Sequence, residues 1–172
     1  MSLLALQLPG ELPRLWRFAI RLTRHREDAQ DLVQRSCVRA LERQHQWNPQ
    51  TPALPWLYSI VHSIWLNELA ARQLRLVGRV DFDAAGDAVA DLAAADPQMT
   101  LLYRQVVRAV EALPNPQRVV MLLVAVEGFS YREASDVLGV PIGTVMSRLS
   151  RARLAISERF ADGTSKENSN AA

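Results

Sequence analysis

The amino-acid sequence predicts an all-α protein: two small helical domains joined by an acidic linker, the second of them carrying a helix-turn-helix. Hydrophobic residues make up 49% of the 172 residues but aromatic residues only 6%, a composition typical of helices built from leucine, alanine and valine. Apolar side chains recur at helical spacing on both sides of the linker, and no stretch shows a stronger strand alternation. The length is sufficient for one ordinary domain or two small ones.

The first predicted domain spans residues 11–76 and contains three helices. Its first helix has one apolar face at helical spacing, formed by Leu15, Phe18, Ala19 and Leu22. The second is predicted to begin at Glu27 and Asp28, because acidic side chains favour the positive end of the helix dipole. Its predicted core stripe is Ala29, Val33, Cys37, Ala40 and Leu41. The third helix follows a proline-rich loop and runs from Trp56 to Arg75.

An acidic segment over residues 77–98 separates the two domains. No basic residue lies between Asp81 and Asp96, and the glycines and the proline of the segment discourage a continuous helix. The sequence therefore predicts an exposed linker, whose simplest role is that of a solvated spacer. A second helical domain is predicted over residues 99–160, followed by a disordered tail over 161–172.

Helix-start and helix-stop residues predict the helix-turn-helix in the second domain. Ser130 and Glu133 have the spacing of a capping box, which places the start of a short helix at Tyr131. Gly139 supplies the left-handed residue that a tight turn after this helix needs. Pro141 then lies where the first turn of the next helix tolerates proline.

The helix after this turn has the pattern of a helix that binds the major groove of DNA. It contains no acidic residue between Pro141 and Ile156, and its predicted buried stripe is Val145, Leu149 and Ala152. The side chains predicted to contact DNA are Thr144, Ser147, Arg148, Arg151 and Arg153. Hydroxyl and guanidinium groups of this kind bind base edges and phosphates. The alternative is a pair of surface helices with solvated arginines.

Composition and spacing argue against several other classes of protein. The single cysteine, Cys37, rules out a disulfide within the chain, and we interpret it as a core residue. No apolar run approaches the roughly 18 residues of a membrane span, and residues 1–12 lack the basic start of a signal peptide. No nucleophile elbow or phosphate-binding loop is found, and the three histidines lack metal-ligand spacing. The sequence therefore predicts no enzyme activity, no cofactor and no membrane insertion.

Three stretches of the sequence resemble one protein family. Residues 113–156, above all 138–141 and 143–148, resemble region 4 of the extracytoplasmic-function (ECF) sigma factors of bacterial RNA polymerase. Residues 27–34 resemble region 2.2 of the same family, and residues 56–72 resemble its regions 2.3 and 2.4. These stretches follow the family's order, with the acidic linker between them.

The resemblance implies a cytoplasmic protein that binds core RNA polymerase and directs promoter recognition, strand opening and transcription initiation. It implies that the region 2.2 helix docks on the coiled coil of the polymerase β′ subunit, with a further contact to the β subunit. The candidate docking residues are Asp28, Asp31, Leu32, Gln34 and Arg35. We expect Leu32 to be exposed and to anchor this contact, since interface centres favour desolvated apolar side chains. The alternative is a solvated charged face.

The resemblance also implies that the loop over residues 48–54 and the helix after it contact the minus-10 promoter element. Capture of an unstacked base needs aromatic side chains and a basic track. The candidates are Trp56, Tyr58, His62, Ser63, Arg72 and Arg75, with Trp47, Trp65 and Arg79 nearby. Trp56 and Trp65 also fit core positions. Because His62 and Ser63 stand where the family usually has Arg-Asn, we expect altered minus-10 recognition.

For region 4, the resemblance implies that the arginine-bearing helix contacts the minus-35 element through the residues given above. Met146 stands where the family frequently has lysine. This change removes a positive charge and is expected to lower the salt slope of DNA binding by about one unit. Ala134 and Ser135 replace the usual Ile-Ala of the preceding helix, which we interpret as a packing change.

The resemblance further implies an anti-sigma factor that occludes both domains, and a linker that lies in the RNA exit path of the polymerase. Two other functions remain open. The first is a plain helix-turn-helix regulator that binds duplex DNA without polymerase, and the region 2.2 resemblance argues against it. The second is a sigma-like decoy that titrates an anti-sigma factor, which the departures at His62, Ser63 and Met146 leave open.

Overall fold

The computed structural model describes residues 2–76 and 97–169, with side chains described over 2–74 and 101–161. Within these residues there is no strand, and the predicted all-α fold is confirmed. The chain separates into two compact units, with the division at residues 89 and 90. That division falls in the predicted acidic linker, most of which lies outside the described residues.

The first helix, α1, spans Leu3–Thr23 and begins well before residue 11, the predicted start of the first domain. Ser2 caps it, because the Ser2 hydroxyl accepts a hydrogen bond from the backbone N–H of Ala5 at 3.3 Å. The helix contains two prolines, which disfavour a helix interior. It continues through them and buries two further apolar side chains in line with the predicted face, Leu4 and Leu8.

Two further helices complete the first unit: α2 (Arg26–Glu42) and α3 (Ala53–Leu76), with a single 3-10 turn (Gln44–Gln46) after α2. Each of the three long helices packs against the other two. At the centre of this core the rings of Phe18 and Tyr58 lie 4.6 Å apart, tilted by 51°, a favourable aromatic geometry.

The buried face of α2 differs from the predicted stripe. The helix buries Leu32 and Ser36 in place of Cys37 and Leu41, of which Cys37 is half-buried and Leu41 exposed. The reason is that α2 packs against both α1 and α3, which shifts the buried face around the helix. Ser36 is accommodated in the core because its hydroxyl donates to the backbone carbonyl of Leu32 at 2.7 Å. Partial burial raises the pKa of the Cys37 thiol.

The second unit contains α4 (Pro97–Glu111), α5 (Asn115–Met121), α6 (Tyr131–Leu138) and α7 (Ile142–Ser169), with a π turn (Leu122–Val126) directly after α5. The segment formed by α5 and the π turn is the centre of this core. Its side chains from 118 to 123 are all buried, and α5 packs against α4 and α7.

Arg118 joins the end of α4 to the start of α5. Its guanidinium is buried and donates to the backbone carbonyl of Glu111 at 2.9 Å and to the side-chain oxygen of Asn115 at 3.2 Å. A carbonyl at the end of a helix has no partner within that helix. Arg118 therefore has a structural role in this unit, and it is not one of the candidate DNA contacts.

The predicted linker meets the described residues only at its end, whereas most of the predicted tail lies within them. Helix α4 begins at Pro97, within the predicted linker. Helix α7 continues to Ser169, past the predicted start of the tail at residue 161, and residues 170–172 lie outside the described part. Among the helices described, none is both long and apolar enough to cross a membrane.

Candidate nucleic-acid interface and docking face

The start and end of α6 have the predicted geometry. The Ser130 hydroxyl accepts from the backbone N–H of Glu133 at 3.2 Å, and the Glu133 carboxylate accepts from the backbone N–H of Ser130 at 2.8 Å, which completes the capping box. The helix ends at Gly139, whose φ of 63° is left-handed. The predicted start at Tyr131 and the predicted turn at Gly139 are confirmed.

The turn between α6 and α7 is held by a residue whose role the sequence did not reveal. The Ser135 hydroxyl donates to the carbonyl of Val140 at 2.6 Å, and the N–H of Val140 donates to the carbonyl of Ser135 at 3.2 Å. These two bonds fix the turn that sets α7 against α6. Ser135 is therefore more than a packing change, whereas the neighbouring Ala134 is fully buried in the core.

Helix α7 divides into a buried face and an exposed face. Val145, Leu149 and Ala152 are buried, as predicted. Four of the predicted DNA contacts share one side of the helix by their spacing, with Ser147 and Arg151 exposed and Thr144 and Arg148 half-buried. The Ser147 hydroxyl donates to the carbonyl of Thr144 at 3.0 Å, so its lone pairs remain available as acceptors.

Arg153, the fifth predicted DNA contact, lies on a different side of α7. It is exposed. It lies five positions after Arg148, which corresponds to a rotation of about 140° around the helix. The structure therefore brings together Thr144, Ser147, Arg148 and Arg151. Arg153 lies instead on the side of α7 that also carries Met146. Both sides are free of acidic side chains from 141 to 156.

The capping box makes the stability of the second unit sensitive to acid. The hydroxyl of Ser130, and then its backbone N–H, hold the pKa of Glu133 below its ordinary value. Because the folded pKa is depressed, this stabilisation is present above the unfolded pKa and is lost as the pH falls through the folded pKa. We expect the thermal midpoint to fall more steeply from about pH 6 to about pH 3 in the wild type than in Ser130→Ala. Parallel curves for the two proteins would contradict this assignment.

On α2, the structure corrects the expected anchor of the docking face. Leu32 is 0% exposed and belongs to the core, so the prediction that it is exposed is wrong. The most exposed of the large apolar side chains of α2 is Val38, at 56%, against 37% for Leu41. Gln34 lies one turn before Val38 and Asp31 two turns before it, and both are exposed. The exposed face of α2 therefore combines polar groups with a different apolar residue from the one predicted.

The charged candidates of α2 and α3 pair with one another. Arg35 binds Asp31 at 3.2 Å and also binds Glu68 of α3. Arg72 of α3 binds Asp28 of α2 at 2.8 Å. Burial raises the pKa of Glu68, and the positive charges of Arg35 and Arg72 partly offset this. The candidate docking residues of α2 and the candidate minus-10 residue Arg72 of α3 thus belong to one set of ion pairs between the two helices.

Arg72 has a further contact that limits its freedom. Its guanidinium lies over the ring of Trp65, 5.6 Å from the ring centroid, a cation–π arrangement. Since Asp28 holds the same guanidinium, part of it is already engaged within the first unit. Trp65 itself is buried, consistent with the core position considered for it.

The predicted minus-10 residues of α3 do not share one surface. Tyr58 is fully buried against Phe18, so it is a core residue and cannot stack on a base in this fold. Trp56 is half-buried and Ser63 exposed, and they lie two turns apart on one side of α3. His62 is half-buried. The side chains of Arg75 and Arg79 lie outside the described residues.

The loop before α3 is closed by its own hydrogen bonds. Trp47 is buried, and its indole N–H donates to the carbonyl of Thr51 at 3.2 Å. The Thr51 hydroxyl and the N–H of Gln50 bind Asn48, at 2.8 Å and 3.0 Å. Trp47 therefore supports the loop from inside, and the exposed polar groups of residues 48–51 are what this loop offers to a partner.

One exposed amide near this site has no counterpart among the predicted residues. Asn67 lies one turn after Ser63 on α3 and is exposed. An amide carries its donors and its acceptor on two separate atoms, so it can form two hydrogen bonds to one base edge, which the single hydroxyl of Ser63 cannot do in the same way. The helical spacing of Trp56, Ser63 and Asn67 in the sequence could have indicated that Asn67 lies on this side of α3. Within the described residues, no cluster of side chains could hold a metal ion.

Two known protein families match this chain, in the same order as its two helical units. Residues 10–75 match the Sigma-70 region 2 family, and residues 103–156 match the Sigma-70, region 4 family. Two helical units, with the helix-turn-helix in the second, thus define a sigma-type transcription factor, a class whose members are not enzymes.

Individual relatives define the family further. The chain is 31% identical over 148 residues to the ECF RNA polymerase sigma factor EcfG of Rhodopseudomonas palustris, covering 85% of this chain and 78% of that protein. It is 32% identical over 143 residues to the ECF RNA polymerase sigma-E factor of Escherichia coli K12, covering 77% and 73%. The chain belongs to the ECF RNA polymerase sigma factors.

A solved structure shows the same fold. The sigma factor RpoE of Bartonella quintana, in co-crystals with the anti-sigma factor NepR, superposes with a TM-score of 0.75 at 28% identity. The match covers 90% of this chain and 94% of that one, so it includes both units.

Proposed function

We propose that this chain binds core RNA polymerase and directs promoter recognition, strand opening and transcription initiation. In this proposal α2 docks on the β′ coiled coil of the polymerase, the second unit contacts the β subunit and α7 binds the minus-35 element. The observation that carries the proposal is the first half of α7, which is held by a helix-turn-helix. It has no acidic residue up to Ile156, and hydroxyl and guanidinium groups lie together on its exposed side. Such a face fits the major groove.

For the minus-10 element, the face that fits best is the one shared by Trp56, Ser63 and Asn67. It combines an aromatic edge, a hydroxyl and an amide within about three turns of one helix. Tyr58 is excluded from it by burial. Arg72 contributes through the position of α3 rather than as a free cation, because Asp28 already binds it. This composition supports a minus-10 preference that differs from the usual one of the family.

The docking of α2 depends on its exposed face as the structure defines it. In the proposal Val38 enters an apolar site on the polymerase, and Gln34, Asp31 and Arg35 surround it as polar groups. Interfaces concentrate their binding energy in such a centre. Since Arg35 also binds Glu68, α3 helps to hold the polar part of this face in position.

Val38→Asp tests this docking face. Because Val38 is exposed, the variant is expected to fold normally while its dissociation constant for purified core polymerase rises by about tenfold or more. Fluorescence anisotropy of the labelled full chain measures this constant. The matched control is Leu66→Asp, which places the same charge at another exposed apolar residue, on α3. Equal losses for both variants, or no loss for Val38→Asp, would contradict the assignment.

An anti-sigma factor is the second partner that we propose. The support is that RpoE of Bartonella quintana, which has the same fold, was solved in complex with NepR. Since core polymerase is a cytoplasmic enzyme, the proposal places this chain in the cytoplasm. A plain helix-turn-helix regulator is disfavoured, because the region 2 match covers residues 10–75.

A further inference from the structure

Helix α7 has an exposed flank on which only Arg153 of the five predicted DNA contacts lies. Met146 is 52% exposed and Ile142, one turn before it, is 47% exposed. Arg153 lies two turns after Met146 on the same side and is exposed. These three residues form what we call the Met146 flank, and Met146 lies about 100° around the helix from Ser147 and about 140° from Arg151.

Ile142 and Met146 of this flank lie in the first two turns of α7. Helix-turn-helix proteins present the N-terminal part of the second helix to the bases, and Ile142 is the first residue of α7. Gly143 separates Ile142 from the polar face, and open space surrounds the position where its Cβ would lie. Since residues 141–156 contain no acid, the charge around the flank complements DNA.

The chemistry of the Met146 side chain restricts what it can recognise. A thioether carries no proton to donate and is only a weak acceptor, so it cannot replace a lysine at a phosphate. Among the groups that the four base pairs expose in the major groove, the apolar one is the C5-methyl group of thymine. Met146 is also long and flexible enough to follow such a group.

We infer that Met146, supported by Ile142, contacts the C5-methyl group of a thymine in the minus-35 element and thereby determines specificity at that base pair. This inference rests on the proposed function, because it requires α7 in the major groove of a promoter. Arg153 binds the backbone beside this contact, whereas Arg148 and Arg151 serve the other side of the helix.

Replacement of thymine by deoxyuridine tests the inference, because it removes the methyl group and keeps the base pair. The full chain bound to core polymerase is first used to define a minus-35 element by run-off transcription. Each thymine of that element is then replaced in turn. Affinity is expected to fall about fourfold at one thymine, the change that corresponds to burial of one methyl group. Met146→Ala should bind the thymine and deoxyuridine promoters equally.

Two further variants distinguish recognition of the methyl group from a general loss of binding. Met146→Lys is expected to lose the distinction between thymine and deoxyuridine and to raise the salt slope by about one unit. Leu154→Ala, at another exposed apolar residue of α7, should keep the distinction. An element without thymine, or an equal deoxyuridine effect in wild type and Met146→Ala, would overturn the inference while leaving the sigma function intact. Absence of any transcript would instead remove the proposed function and the inference with it.

Discussion

Leu149→Ala is expected to lower the free energy of unfolding of the second unit by about 2–5 kcal/mol, the usual cost of truncating a buried leucine to alanine. Leu149 is 1% exposed and lies between Val145 and Ala152 on the buried face of α7. The cavity would loosen the helix that carries the proposed minus-35 contacts. We therefore expect a loss of promoter affinity even where Arg148 and Arg151 are unchanged.

The matched control for this change is on the same helix. Leu154 is 58% exposed, so Leu154→Ala removes the same atoms without a cavity. All four tryptophans lie in the first unit. Tryptophan fluorescence therefore follows the first unit, and circular dichroism at the helical band follows both. Leu149→Ala should shift the dichroism transition and leave the fluorescence transition in place. Equal effects of the two leucine variants would contradict the burial of this face.

Tyr58→Ala is expected to destabilise the first unit by about 3–5 kcal/mol, as other large-ring truncations in cores do. The reason is that the ring is fully buried and packs against Phe18. Here the fluorescence transition should move to lower denaturant concentration. The change in promoter opening would follow from the loss of the fold rather than from the loss of a base contact.

Ser63→Ala separates these two explanations. Ser63 is exposed on the same helix and belongs to the proposed minus-10 face, so its replacement should leave the fluorescence transition unchanged. We expect it to alter opening of the minus-10 element instead. If Tyr58→Ala kept the stability of the wild type and lost only promoter opening, Tyr58 would contact DNA and the placement of its ring in the core would be wrong.

The helix-turn-helix was predictable from the sequence because short-range interactions define it. The capping box joins residues three apart, and Gly139 determines the end of α6 by its own backbone preference. The buried stripe of α7 was equally clear, since Val145, Leu149 and Ala152 recur at the helical spacing i, i+4 and i+7. What sequence reasoning missed in this part is the bond from Ser135 to Val140, because serine in a helix carries no distinct signal for such a contact.

The buried and exposed faces of α2 and α3 were harder to predict, because they depend on how these helices pack against each other and against α1. Leu32, Val38 and Leu41 are all apolar, and helical spacing alone does not say which of them faces α1 and α3. The ion pair between Arg72 and Asp28 joins residues 44 apart in sequence. Tyr58 has the residue type that base stacking needs, yet the same ring fits a core. The start of α1 was missed because its prolines argue against a helix.

The central claim is that this chain supports promoter-specific initiation, and run-off transcription with purified core RNA polymerase tests it most directly. Genomic fragments are transcribed with and without the full chain. Specific transcripts that require the chain are expected, with start sites that define both promoter elements. Binding to core polymerase without any such transcript would favour the decoy function. If the chain did not bind core polymerase at all, the proposed function would be contradicted.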